Sequence, residues 1–259
     1  MKFIELHEHF ENWANMKFAE NYDNVGLIVG EWHTTINGAL INLDVTEEVL
    51  EEAEQLGCNL IITHHPIWFQ ARKKLNGDDF VSRILLRAIR KNIGLYALHT
   101  NLDNISTGVN YKIANILGMK DLSFMKKHPN LEIGSGLMGK LKTPMPVYEF
   151  MDLLKKSFEA PMIRYSKAKE KEIIQKVGVC GGAGSFLIPE AIQNELDAFI
   201  TADITYHKFF ENESQFYLID IGHFESEQYT SEIIFDFIKN IANFAVYLSK
   251  IQTNPVHYY

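Results

Sequence analysis

Six side chains of the kinds that bind transition metals stand at three places in this chain, each just after an apolar run. Leu60-Ile61-Ile62-Thr63 leads into His64 and His65, Gly94 to Leu98 leads into His99 and Asp103, and Phe216 to Ile221 leads to His223 and Glu227. Neutral imidazoles and carboxylates suit Zn, Fe, Mn or Co, and no thiolate is present among them to select a soft ion. A catalytic zinc usually takes about three ligands from protein, so this set points to two divalent metal ions rather than one. Each ion would take one of the two adjacent histidines, with a carboxylate bridging. Two divalent ions outweigh the charge of Asp103 and Glu227, and the positive surplus favours ionised water and an anionic substrate.

These donors meet only if their elements deliver them to one edge. Open α/β sheets build sites at the carboxyl ends of their strands, where an apolar run gives way to polar groups. Pro66 ends the strand before it, because it has no N–H to donate, and it biases His65 toward an extended conformation. Taken alone, residues 60–69 read equally well as a strand that ends in two loop histidines. His223 and Glu227, four apart at the start of a helix, share one face. Asp44, Asp203 and His207 lie at further strand exits, where they read either as helix caps and surface polar groups or as residues that orient the ligands.

The remaining elements follow a strand, polar exit and helix rhythm in both halves. A helix is expected over residues 4–14, with His7 and His9 on different faces and in solvent. A short strand follows Asn21-Tyr22-Asp23-Asn24-Val25-Gly26, and another near Ala39 to Leu43 leads to Asp44. Thr46 caps the next helix and Gly57 closes it. Residues 70–79, with Arg72, Lys73 and Lys74, form either a solvated loop or a lid offering positive charge to an anionic ligand. Phe80 to Lys91 is amphipathic and helical. Residues 125–146 turn rich in Gly, Pro and Lys, which marks the best candidate boundary. This gives a first lobe of residues 1–125 plus 224–259 and a second of 126–223. Gly181-Gly182-Ala183-Gly184-Ser185 follows a strand, but Leu187 stands where a dinucleotide loop has its third glycine, and no Gly-Lys-Ser/Thr follows for a P-loop. A tight turn is the expected role. The formal charge of −8 excludes a general grip on nucleic acid or an anionic membrane surface. No apolar run reaches the length of a membrane span, and the first residues lack the apolar core of a signal peptide. Cys58 and Cys180 sit in apolar surroundings, as expected of buried free thiols in a cytoplasmic protein.

The order Tyr22-Asp23-Asn24-Val25-Gly26-Leu27, His64-His65-Pro66, His99-Thr100-Asn101-Leu102-Asp103, Gly181-Gly182-Ala183-Gly184-Ser185 and Gly222-His223-Phe224-Glu225-Ser226-Glu227 closely resembles the NIF-three-like family, whose members are commonly labelled GTP cyclohydrolase 1 type 2 homologues. The resemblance covers nearly the whole chain. It implies an α/β fold of two similar α/β lobes with mixed sheets flanked by helices, a dinuclear metal site in the cleft between them, and a toroidal homohexamer. By matching position it makes His64, His65, Asp103, His223 and Glu227 the metal ligands and leaves His99 out of the set. Tyr22 stands where many members have Trp, Ala202 where Gly is usual, and residues 125–146 lack the domain that longer members insert.

The activity this implies is metal-dependent hydrolysis of a purine nucleotide such as GTP, opening the guanine ring at C8 and releasing formate; His207, at a strand exit near these donors, is the candidate catalytic proton carrier. Two other readings fit the same donors: a non-catalytic metal-handling or scaffold protein, and a two-metal phosphoesterase.

Overall fold

The computed structural model describes residues 1–169 and 171–259. In chain order the elements are α1 (Phe3–Trp13), β1 (Gly26–Val29), β2 (Gly38–Asn42), α2 (Glu47–Gln55), β3 (Leu60–Thr63), α3 (Phe80–Lys91), β4 (Gly94–Ala97), α4 (Thr100–Asp103), α5 (Val109–Ile116), β5 (Lys120–Lys127) and β6 (Gly134–Pro146). There follow α6 (Val147–Ser157), β7 (Arg164–Ser166), β8 (Ile173–Val179), α7 (Ile188–Gln193), β9 (Ala198–Thr201), β10 (Tyr217–Asp220), α8 (His223–Glu227), α9 (Thr230–Ile241) and β11 (Ala245–Leu248). They divide into two compact units, residues 1–102 with 230–255, and residues 103–229 with 256–259.

The first unit holds a five-stranded sheet in the order β1-β4-β3-β2-β11. All its pairings are parallel except that of β1 with β4. Every residue of β2, β3 and β4 is buried, which is why these strands read as unbroken apolar runs rather than as alternating ones. The core on one side is built from Leu40, Ile61 and Leu95 of the sheet with Val49, Leu50, Ala53, Ile84, Leu85 and Ala88 of α2 and α3. Thr46 caps α2 by accepting from Val49 N at 3.2 Å, as its sequence position predicts. On α1, Phe10 and Trp13 stack on Phe237 of α9. His9 is exposed, but His7 is not simply in solvent: its Nδ1 lies 2.8 Å from the Tyr96 hydroxyl, and its ring packs 4.9 Å from that of Trp32.

The second unit holds six strands in the order β5-β6-β8-β9-β10-β7. Here β8, β9 and β10 run parallel, while β5, β6 and β7 are added antiparallel. Residues 125–146 make most of a long hairpin that lies within the second unit. The glycines that suggested a linker are there for close approach. A Cβ on Gly134 would lie 2.4 Å from the Lys126 carbonyl oxygen, and one on Gly139 would lie 2.5 Å from that of Lys120.

Candidate metal centre

Register fixes where the first unit's donors leave the sheet. Asn42, Thr63 and Ala97 are paired across β2, β3 and β4, so residues 43–44, 64–65 and 98–99 exit along one edge at their carboxyl ends. Backbone bonds hold these exits together: His65 N donates to Leu43 O at 3.0 Å, and Leu98 N to Thr63 O at 2.9 Å. The Thr63 hydroxyl adds a bond to His65 O at 2.9 Å.

Three imidazoles converge there. The ring centroids of His64 and His65 are 4.9 Å apart, those of His64 and His99 5.1 Å, and those of His65 and His99 5.5 Å. Each faces an acceptor through Nδ1. His64, fully buried, donates to Leu98 O at 2.8 Å, His65 to Asp44 Oδ1 at 2.7 Å, and His99 to Asp23 Oδ1 at 2.8 Å. A carbonyl or carboxylate only accepts, so Nδ1 carries the proton and Nε2 becomes the lone-pair donor of the neutral ring. Asp44 also accepts from the Thr253 hydroxyl at 2.7 Å. Burial pushes the Asp44 carboxyl up, but His65 and Thr253 outweigh it and leave the group below its ordinary range. Asp23, whose side chain has no exposed surface, accepts from Thr100 N at 3.1 Å and from the Thr100 hydroxyl. Burial opposes its ionisation too, yet the bonds from His99 and Thr100 bring its pKa down to about 2.

The second unit repeats the device. Thr201 pairs with Asp220 and Ile200 with Val179, so residues 180–182, 202–203 and 221–223 leave β8, β9 and β10 along one edge. His223 Nε2 lies 3.0 Å from Glu227 Oε2, one helical turn away, and His223 Nδ1 lies 2.7 Å from Asp203 Oδ2. Burial of the His223 ring lowers its proton affinity, but the bonds to Asp203 and Glu227 override this and push its pKa up to about 11. A proton shared between Nε2 and a carboxylate occupies the place a divalent ion takes between the same atoms, and metal binding would displace it. Asp203 itself adopts φ +53, a left-handed conformation that Asp tolerates better than most residues.

The glycine loop forms a wall behind Glu227. Its three glycine N–H groups are committed within the unit, Gly181 to Asn110 Oδ1 at 3.0 Å, Gly182 to Ser226 Oγ at 2.9 Å and Gly184 to Thr201 Oγ1 at 2.8 Å. It is therefore the tight turn the sequence suggests, and not an anion cradle. Burial raises the Cys180 thiol pKa, and the negative charges of Asp103 and Glu227 raise it further. Cys58 and Cys180 are both buried and free.

These residues and their order are those of a known family. The chain matches the family model Duf34/NIF3 (NGG1p interacting factor 3) over residues 1–255. The chain belongs to the Duf34/NIF3 family. A GTP cyclohydrolase 1 type 2 homolog of Clostridium acetobutylicum is 35% identical over 88% of this chain and 85% of its own length. One of Campylobacter jejuni is 30% identical with both chains covered in full. The crystal structure of a Staphylococcus aureus hypothetical protein superposes with a TM-score of 0.91 at 26% identity, covering 100% of this chain and 99% of its own. The two mixed sheets flanked by helices are thus a Duf34/NIF3 fold.

Of the residues singled out from sequence, this Duf34/NIF3 chain brings His64, His65 and His99 together in the first unit, and His223, Glu227 and Asp203 in the second. His207 is exposed in the 3-10 turn Tyr206–Phe210 with its ring against Tyr206. Asp44 and Asp203, which sequence left between cap and ligand support, are bonded to the imidazoles of His65 and His223. Asp23 was missed as a functional residue, although it lies in a quoted motif, because its partner is 76 positions away. The basic loop carries an Arg72–Asp79 ion pair at 2.7 Å, while Lys73 and Lys74 are exposed. Among the described residues no helix is long and apolar enough to cross a membrane.

Proposed function

We propose that this protein is a metal-dependent hydrolase that holds two divalent ions through His64, His65, Asp103, His223 and Glu227 and acts on a purine nucleotide such as GTP. The observation that carries the reading is the common setting of its histidines. His64 and His65 leave β3 together and His223 follows β10, yet all three rings face an acceptor through Nδ1, which leaves Nε2 as the nitrogen to bind a metal. That outer bond is the usual companion of a metal-ligating imidazole. The donor set is hard to borderline, the buried carboxylate of Glu227 is already 3.0 Å from an imidazole, and both features suit Zn, Fe, Mn or Co.

Bound ions would supply positive charge that lowers the pKa of water and neutralises substrate phosphates. The chain's own residues do the rest. Asp44 and Asp203 hold the rings of His65 and His223 in one tautomer and one orientation. His207, exposed after Asp203, is assigned as the proton carrier. The nucleotide assignment draws on the names of the relatives, and a toroidal homohexamer is proposed on the same family footing, with light scattering as its test.

Incubating iron-, zinc- or manganese-loaded protein with GTP and measuring formate tests the activity. Formate release, slowed about 10²-fold or more in His207→Ala, is the expected result. No formate with any of the three metals would sink the cyclohydrolase assignment. Phosphate released from an aryl phosphate would indicate a phosphoesterase, and transfer of metal to an acceptor without turnover a metal-handling protein.

A further inference from the structure

His99 has the setting of a ligand although the family pattern leaves it out. One ring nitrogen from each of His64, His65 and His99 lies within 4.8 Å of the other two. Three imidazole nitrogens at about 2.0–2.1 Å from one tetrahedral ion would stand about 3.3 Å apart, a spacing small side-chain rotations can reach from here. Behind the ring, His99 Nδ1 donates to Asp23 at 2.8 Å, matching the outer bonds of His64 to Leu98 O and of His65 to Asp44.

Of the two carboxylates that back these rings, the one behind His99 has the more buried side chain. The Asp23 side chain has no exposed surface, and a carboxylate is taken out of water only where its bonds replace hydration. Those bonds come from His99 Nδ1 and from both the backbone and the hydroxyl of Thr100. The Thr100 hydroxyl oxygen in turn accepts from Glu20 N at 2.9 Å, and the His99 backbone N–H is held by Asn101 Oδ1 at 2.9 Å. The ring is thus held in one tautomer, with Nε2 as its lone-pair donor. A surface histidine at a strand end has no use for such a mount.

We propose that His64, His65 and His99 together form a three-imidazole metal site, which gives the first unit the capacity to bind a divalent ion by itself. Three neutral imidazoles with open remaining positions make the donor set of a catalytic zinc site rather than of a closed structural one. The site shares His64 and His65 with the dinuclear centre proposed above and does not need Asp103, His223 or Glu227.

Metal analysis of the full chain separates the two ideas. In the His223→Ala/Glu227→Ala double variant the three-imidazole site predicts about one tightly held zinc per chain, lost to below about a tenth when His99→Ala is added. A double variant that binds no zinc, or a triple variant that keeps it, overturns the site; if the unaltered protein still binds two ions, the dinuclear reading stands without it. Cobalt(II) absorption provides a second readout that needs only one substitution. His99→Gln should shift and weaken the visible bands and lower affinity at least about 10-fold, with Asp23→Asn shifting them less and in the same direction. Bands and affinity unchanged in His99→Gln, as expected if His99 only bonds to metal-bound water or serves the fold, would overturn the proposal.

Discussion

Gly182→Ala is a one-methyl perturbation aimed at Glu227 and His223, two of the proposed metal ligands. Gly182 has φ +59, and a Cβ built there would lie 2.3 Å from Glu227 Oε1 and 3.2 Å from His223 Cε1. Ordinary contact begins near about 3.4 Å, so the carboxylate must retreat by about 1 Å. Elsewhere a flexible Glu would swing away at little cost. Here the side chain is buried and its Oε2 is engaged with His223 at 3.0 Å, so retreat breaks that pair. Two effects are expected. The left-handed backbone costs about 1–2 kcal/mol for a residue with a Cβ, equivalent to about 2–8 °C in the melting temperature of the metal-free protein. Displacing a ligand lowers metal affinity by about 10–100-fold, the scale at which even supporting residues act. Gly57→Ala separates the two, because Gly57 has φ +70 with nothing within 4 Å of its Cβ. Chelator competition and thermal unfolding, with and without zinc, should show both variants destabilised and only Gly182→Ala weakened in metal binding. Wild-type affinity in Gly182→Ala, or an equal loss in Gly57→Ala, would refute the placement of Glu227 as a ligand.

Asp44→Asn and Asp203→Asn should each lower zinc affinity about 10–100-fold with the fold retained, as read by isothermal titration, since an amide can present its N–H to the ring and permit the wrong tautomer. The His223 pKa of about 11 lies above its ordinary 6.5, so its stabilisation of the metal-free protein is complete below about pH 6.5 and fades as pH rises through 11. Melting temperature against pH should lose that part of its slope in His223→Gln. Because the pair binds a proton at neutral pH, zinc binding should release it, and apparent affinity should rise about ten-fold per pH unit in the neutral range; titrations in buffers of different ionisation enthalpy count the proton.

Much of the site was legible because strand exits announce themselves. The unbroken apolar residues of β3 and β10 marked buried parallel strands, and the polar groups directly after them are the candidate donors. Asp44 and Asp203 stood at exits too, but a carboxylate there caps a helix as readily as it orients a ring, and only the 2.7 Å bonds decide. Asp23 was out of reach, since its role is defined by His99, far along the chain. The second sheet was the harder part. Residues 134–146 carry the glycines and prolines of a linker, yet they form the sheet's longest strand, because backbone crowding by β5 selects glycine where strand propensity would not. β7, three residues long and mostly exposed, offered no apolar signal at all.

The claim on which the account rests is that His64 and Glu227, from different units, belong to one metal-binding set. Metal content per chain, measured by mass spectrometry on the purified protein and on His64→Ala and Glu227→Ala, tests it most directly. The account predicts about two divalent ions per chain in the unaltered protein and a loss of at least one in each variant, with secondary structure intact. Unchanged metal content in both variants would contradict it.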